Sequence, residues 1–293
     1  MTTARVKENL HAYLMLSPAL LGLLAFTLFP MLAALLLGFL NWNIASEPAW
    51  AGLANYRELL NDPTVLIGLR NTLWWVVMTV PLGIGVSLCL ALALNRPIRG
   101  VGLFRTVFYL PVITPLLVVA LLFEWLYNAD FGLFNWFFGL FGLGPFNFLG
   151  DPGSALPAIA AMSVWKNAGS NMIIYLAALK GIPQHLYEAA DVEGASRWNK
   201  FRHITLPMLG PANFFIGIMT MIAAFQVFTE IYIMTEGGPS FSTTTLAYAM
   251  WSNAFGYSRL GYAGAIANVM FILILIITLI WIRLYGRRVY YEE

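Results

Sequence analysis

"EAADVEGASRWNKFRHITLP" occupies residues 188–207, a dense run of polar and charged side chains with strongly apolar sequence on both sides. The fold turns on what surrounds this segment and on which side of that surrounding it faces. The chain has 293 residues, of which 60% are hydrophobic and only 10% charged, and its mean hydropathy is +0.74. These values lie far outside the range of soluble domains and identify an integral membrane protein. The net charge of +2 is small, so the placement of basic residues says more than their sum. Cys89 is the single cysteine, so no internal disulfide can form and the fold rests on packing.

Crossing roughly 30 Å of hydrocarbon takes about 20 apolar residues in a helix. Such stretches fall near 13–40, 71–94, 104–127, 156–179, 209–234 and 262–284, which predicts an all-α protein with six transmembrane helices. The first stretch follows Arg5 and Lys7 as a secretory signal would. It runs well beyond the roughly 7–15 residues of a signal core, so it reads as a retained span that Pro18 and Pro30 kink or tilt. A seventh stretch, residues 131–150, is almost as apolar but holds five glycines and Pro145.

Charge bias decides that stretch, because short cytoplasmic loops are rich in Lys and Arg. With six spans and an inner N-terminus, the inside holds Arg5, Lys7, Arg96, Arg99, Arg105, Lys180, Arg197, Lys200, Arg202, Arg283, Arg287 and Arg288. The outside keeps Arg57, Arg70 and Arg259, with Lys166 inside a span. Counting 131–150 as a span would place the basic 180–207 cluster and the basic C-terminus outside. It therefore reads as an aromatic interfacial or re-entrant hairpin on the outer face, with Trp136 at headgroup depth. The 188–207 segment and both termini are then cytoplasmic. In the outer loop at 41–69, "GLANYRELL" predicts a short amphipathic helix on the membrane or against the bundle.

The polar segment has its own local logic. Gly181 ends the fourth span, Pro183 suits a helix start, and Gln184 to Glu193 should form a short helix that stops at Gly194. Ser196 can cap a second helix through about His203, and "LP" at 206 and 207 opens the fifth span. Glu188 and Asp191, at i, i+3 spacing, are positioned for basic partners, while Ala189 and Ala190 permit close approach of another surface. The same pattern also suits an interfacial helix that merely covers lipid.

"EAADVEGA" and "FRHITLP" resemble the EAA loop of permease subunits of binding-protein-dependent ABC importers. The segments "GLANY" (52–56), "RNTLWW" (70–75) and "TEGGPSFSTTTL" (235–246) resemble the carbohydrate branch of that family, the maltose, lactose and glycerol-phosphate type. Glu193 stands where the family has Asp, and Glu236 where it usually has Gly. The resemblance implies the type I permease fold with a cytoplasmic coupling helix that docks on an ATPase, with Glu188, Ala189, Ala190, Gly194 and Ala195 at the contact. It implies an N-terminal segment, first span and outer loop at 1–66, a permease domain at 67–285 with the coupling loop at 181–207, and a cytoplasmic tail at 286–293. It also implies two ATP-binding subunits that carry the ATP and magnesium, a second and different permease subunit, an extracytoplasmic solute-binding protein, and a prokaryotic inner-membrane location.

Polar groups inside spans are the local clues to a pathway, because lipid burial of such groups is expensive. Ser163, Asn167, Ser170 and Asn171 fall at i, i+4, i+7 and i+8 on one face of the fourth span, with Lys166 nearby. Thr220, Gln226 and Glu230 lie in the fifth. Hydroxyls, amides and aromatic rings are what a sugar needs, although Ser163, Ser170 and Thr220 also suit close helix packing. Gly237, Gly238 and Pro239 should break the fifth span at the outer interface, as an ordinary turn or as a contact for the binding protein.

No G-x-x-x-x-G-K-[ST] phosphate loop occurs in the chain, so the energy source is expected elsewhere. The expected function is a transport subunit, not an enzyme, for an ATP-driven importer of a sugar, oligosaccharide or related polyol, working by alternating access. No cofactor, metal or nucleic acid is expected in the chain; His11, His185 and His203 are too far apart for a metal or triad group. The alternative is an ion-coupled secondary transporter using Glu124, Lys166 and Glu230.

Overall fold

The computed structural model describes residues 3–96 and 99–285, with side chains from His11 onward. The side chains of Arg5 and Lys7 and the whole 286–293 tail, with Arg287 and Arg288, lie outside the described residues. The chain divides into two compact units, residues 1–62 with 250–269, and residues 63–249 with 270–293.

In the first unit, α1 (Thr3–Leu23) passes through a π-helical turn at Leu24–Leu28 into α2 (Phe29–Leu37). The turn lies between Pro18 and Pro30, the two residues expected to distort this span. Pro30 has no N–H to return to the preceding turn, and one wider turn absorbs the missing bond. The large apolar side chains from Tyr13 to Leu36 are almost all exposed, as a lipid-facing span requires. A short antiparallel pair comes next, β1 (Leu40–Asn41) with β2 (Ala49–Trp50), and then α3 (Ala54–Leu59). The "GLANYRELL" helix is α3, and it packs into its own unit. Asn55 Nδ2 donates to the carbonyls of Gly38 (3.0 Å) and Leu40 (2.9 Å), and Asn268 Nδ2 donates to the Tyr56 hydroxyl (2.7 Å).

The second unit begins with α4 (Pro63–Leu94), succeeded by α5 (Val101–Ile113) and α6 (Leu116–Leu126). The expected third span is thus two helices that meet at 98°. Thr114 precedes Pro115 and is extended (φ −73°, ψ 132°), because the proline ring disfavours helical geometry in the residue before it. The 131–150 stretch forms one seven-residue helix, α7 (Leu133–Gly139), and an irregular return. About 10 Å of helix cannot cross a bilayer. The return is tied by Asn135, which donates to the Phe146 carbonyl and accepts from its N–H, both at 2.8 Å. Phe134 and Phe148 pack at a tilt around Tyr127, each with its ring centroid 5.2 Å away.

The long helix α8 (Ala155–Lys180) is the centre of this unit and packs on α4 and α5. Gly169 is what lets α5 close in: a Cβ at that position would collide with the Phe108 carbonyl. Beyond it come α9 (Gln184–Val192), α10 (Arg197–Lys200), a π-helical turn at Phe201–Thr205, α11 (Leu206–Met208) and α12 (Gly210–Phe225). The chain continues through α13 (Thr229–Met234), α14 (Leu246–Trp251) and α15 (Leu260–Tyr285), the last two divided between the units.

Among the described residues, three helical segments are long and apolar enough to cross a membrane alone: 11–37, α4 and α15. Two more qualify if each bent pair, α5 with α6 and α10–α11 with α12, is one span. The 26 residues of α8 are long enough, but its polar residues lower its hydropathy. Along α8 two apolar bands are separated by a polar one. Ile159, Ala160 and Met162 pack with Trp75, Phe123 and Phe225, whereas Met172, Tyr175 and Leu176 pack with Ala91, Leu209 and Ile216.

Candidate functional site

The polar band of α8 opens into a cavity of about 430 Å³. Ser163, Asn167, Ser170 and Asn171 all line it, as their helical spacing requires. Thr220, Gln226 and Glu230 line it from the fifth span. Seven of the eight pathway candidates from the sequence therefore share one cavity. The exception is Lys166, which is buried at 7% exposure but does not line it. Nor does Lys166 make the buried ion pair that its proximity to Glu230 suggests. Ion pairs form elsewhere, between Asp191 and Lys200 and between Glu58 and Arg259. Glu230 instead accepts from Ser163 Oγ at 3.3 Å, with the Lys166 ammonium close enough to act on it through space.

The fifth span differs from the sequence expectation in where it breaks. It ends at Phe225 and restarts at Thr229, nine residues before Gly238. The freed backbone finds side-chain partners, since Thr245 Oγ1 donates to the Val227 carbonyl at 3.0 Å. Non-helical backbone at membrane depth is tolerated where it is buried in protein or lines a cavity, and here the broken segment supplies Gln226, Val227 and Phe228 to the lining. One bond spans the cavity at its other end, from Asn171 Nδ2 to Thr220 Oγ1 (3.2 Å). Trp75, Thr79, Phe228 and Thr229 also line it and escaped the sequence reading. The signal for Trp75 and Thr79 was the four-residue spacing that puts both on one face of α4.

The Gly237–Pro239 segment is a folded knot. Gly237 is buried against Thr244 and Tyr248, and Gly238 and Pro239 are half-buried. Thr243 Oγ1 donates to the Gly238 carbonyl (2.7 Å), and Thr244 Oγ1 donates to that of Gly237 (3.0 Å). Asn71 of α4 donates to the carbonyls of Phe241 and Thr244. Thr245 caps α14 by accepting from the Tyr248 N–H (3.3 Å). The knot also holds Glu236, Ser240 and Phe241 at positive φ, all three of them exposed, and none of these was singled out in the sequence as a site.

In the 181–207 loop, α9 ends at Val192 and Gly194 turns the chain at φ +74°. The Ala195 N–H returns to the Ala190 carbonyl at 2.9 Å, closing the helix end. Ser196 Oγ caps α10 by accepting from the Asn199 N–H. That helix is shorter than expected, because residues 201–205 widen into a π turn ahead of Pro207. Two bonds fix α9 to the start of the fifth span: Lys200 Nζ to Asp191 Oδ1 (2.6 Å), and the Tyr187 hydroxyl with Thr205 Oγ1 (2.9 Å). Glu188, Ala189 and Gly194 are exposed, and Ala190 and Ala195 half-buried. Glu188 accepts from Gln184 Nε2 at 2.8 Å, and Val192 is 90% exposed.

Residues 80–291 match the family described as the binding-protein-dependent transport system inner membrane component. The chain belongs to that family. It is a permease subunit of a binding-protein-dependent ABC importer and a multi-pass membrane protein. A probable ABC transporter permease protein of Bacillus subtilis, YesP, is 38% identical over 98% of this chain and 94% of its own length. The trehalose/maltose transport system permease protein MalF of Thermococcus litoralis is 34% identical, covering 95% of each chain. Among solved structures, a chain of a bacterial ABC transporter involved in import of the acidic polysaccharide alginate superposes with a TM-score of 0.86. It is 25% identical and covers 97% of this chain and 98% of that one. A bacterial alginate ABC transporter is also solved in complex with an alginate pentasaccharide-bound periplasmic protein.

Family membership displaces the ion-coupled alternative, and the permease's geometry agrees. Glu124, one of the three groups such a carrier would use, is exposed on α6 and does not line the cavity that holds Glu230.

Proposed function

We propose that this permease forms half of a pathway for a sugar, oligosaccharide or related polyol, with the α8–α12–α13 cavity as its substrate-facing part. The observation that carries this reading is the cavity's chemistry. Amides and hydroxyls from two spans converge with Trp75 and Phe228, giving donors and acceptors for sugar hydroxyls and flat apolar faces for its C–H surfaces. The names of the relatives add weight, since they transport trehalose and maltose, lactose or arabinooligosaccharides. At about 1.5 Å rise per residue, Asn171 lies about 14 Å and Ser163 about 26 Å from Lys180, which sets the polar band from mid-membrane outward.

In this reading α8 completes a set of six spans, with residues 1–66 added ahead of the permease domain at 67–285. Both termini and the 181–207 loop face the cytoplasm. Two ATPase subunits, which bind ATP and magnesium, dock on α9 through Glu188, Ala189, Ala190, Gly194 and Ala195. A second, different permease supplies the other half of the pathway, and a solute-binding protein meets the outer knot at 237–239. ATP-driven closure moves α9, and its bonds to Lys200 and Thr205 pass the motion into the fifth span, whose break exposes the cavity alternately to each side.

Reconstitution of the full complex tests this. Glu188→Ala should lower ATP-driven sugar uptake at least about tenfold, the order of effect expected when a charge at a coupling contact is removed, while the complex still assembles. Unchanged uptake in Glu188→Ala and in Gly194→Val would refute the coupling assignment.

A further inference from the structure

Among the described residues, the cavity lining carries one ionisable side chain and it is acidic. Glu230 reaches the lining from α13, whereas no Lys, Arg or His side chain does. The nearby cation, Lys166, is buried on α8 and stands off the lining. The remaining polar groups are neutral, chiefly Asn167, Ser170, Asn171, Thr220 and Gln226. An anion brought into such a space loses its hydration and finds no fixed cation or guanidinium fork to replace it, which is costly. A neutral polyhydroxylated ligand loses only hydrogen bonds that amides, hydroxyls and a carboxylate can return. Resting on the sugar-pathway reading above, we infer that this half of the pathway selects uncharged glycosides and polyols and rejects anionic sugars such as uronates and sugar phosphates.

The potential in the cavity can be read without knowing the substrate. Cys89 is the only cysteine of this chain and is exposed, so Cys89→Ser removes this subunit's own thiol, and the same complex without Ser170→Cys gives the background rate from the partner subunits. Ser170→Cys then places one reporter thiol in the exposed part of the lining. The reconstituted complex is treated with two methanethiosulfonates of similar size, one bearing trimethylammonium and one sulfonate, with rates normalised to 2-mercaptoethanol. The cationic reagent should react at least about tenfold faster, as a nearby carboxylate in a medium of reduced dielectric predicts. Glu230→Gln should bring the ratio toward one. Gln226→Lys, at an exposed lining position, should reverse it and serves as the second variant if Glu230→Gln fails to fold.

An anionic reagent that reacts as fast as the cationic one, or a ratio that neither substitution moves, overturns the inference. The pathway reading fails separately: modification of Ser170→Cys that leaves uptake intact would show that the cavity is not on the route, whatever its charge.

Discussion

The cavity and the 181–207 loop hold their polar groups in opposite ways. In the loop every fixing bond is local. The Ser196 cap, the Ala195 N–H to Ala190, Asp191 to Lys200 and Tyr187 to Thr205 all join residues within 18 positions of each other. In the cavity the bonds that matter join different spans, Ser163 to Glu230 across 67 residues and Asn171 to Thr220 across 49. A segment closed on itself moves as one body, whereas two spans joined by single hydrogen bonds can separate at small cost. The permease thus pairs a stiff loop with a compliant cavity wall, which under the proposed function are the input and the output of one motion.

That contrast is most exposed to attack at Gly194. A β-branched residue there must hold φ +74°, a left-handed geometry that costs roughly 1–2 kcal/mol. The loop would relieve it by letting α9 and α10 change their angle. Gly194→Val should therefore abolish most uptake while ATPase activity persists, measured side by side on the same vesicles. Full coupling in that variant would mean the loop need not be stiff.

A smaller effect is expected at the cavity. A double-mutant cycle between Asn171→Leu and Thr220→Val, scored by thermal stability, should give a coupling of about 0.6 kcal/mol and no more than about 1.7, the range for hydrogen bonds between membrane helices. A larger value would make the cavity wall rigid and erase the contrast. The smallest effect belongs to Asp191→Asn. Its ion pair with Lys200 is 62% exposed on the acid side, so it should contribute at most about 1 kcal/mol, fading with salt. A salt-independent loss of coupling would show that the pair acts beyond simple stiffening.

The two regions also differ in how legible they were. The loop could be read nearly residue by residue, because Gly, Ser and Pro act on the backbone within a few positions. The α8 face was equally plain from its spacing. The break after Phe225 was not: "AAFQVFTE" contains no glycine or proline, and what holds it open is Thr245, 18 residues downstream of Val227. The bend at Thr114–Pro115 did carry a signal, the X-Pro step, which an otherwise continuous apolar run concealed. The four-residue spacing of Trp75 and Thr79 puts them on one face of α4, but which neighbour that face meets was settled only by the pairing of α4 with α8.

The polar band of α8 bears finally on biogenesis. A helix with Lys166 near its middle is a poor client for the translocon, since one such charge costs about 2.5–3.5 kcal/mol at the centre of an inserting helix. Its two neighbours, α4 and α5, are both apolar and both synthesised earlier. By the time α8 leaves the ribosome, the surface that shelters Met162, Gly169 and Tyr175 already stands in the bilayer. The order of segments along the gene thus acts as an assembly schedule, in which the self-sufficient helices enter first and the polar one is received by them.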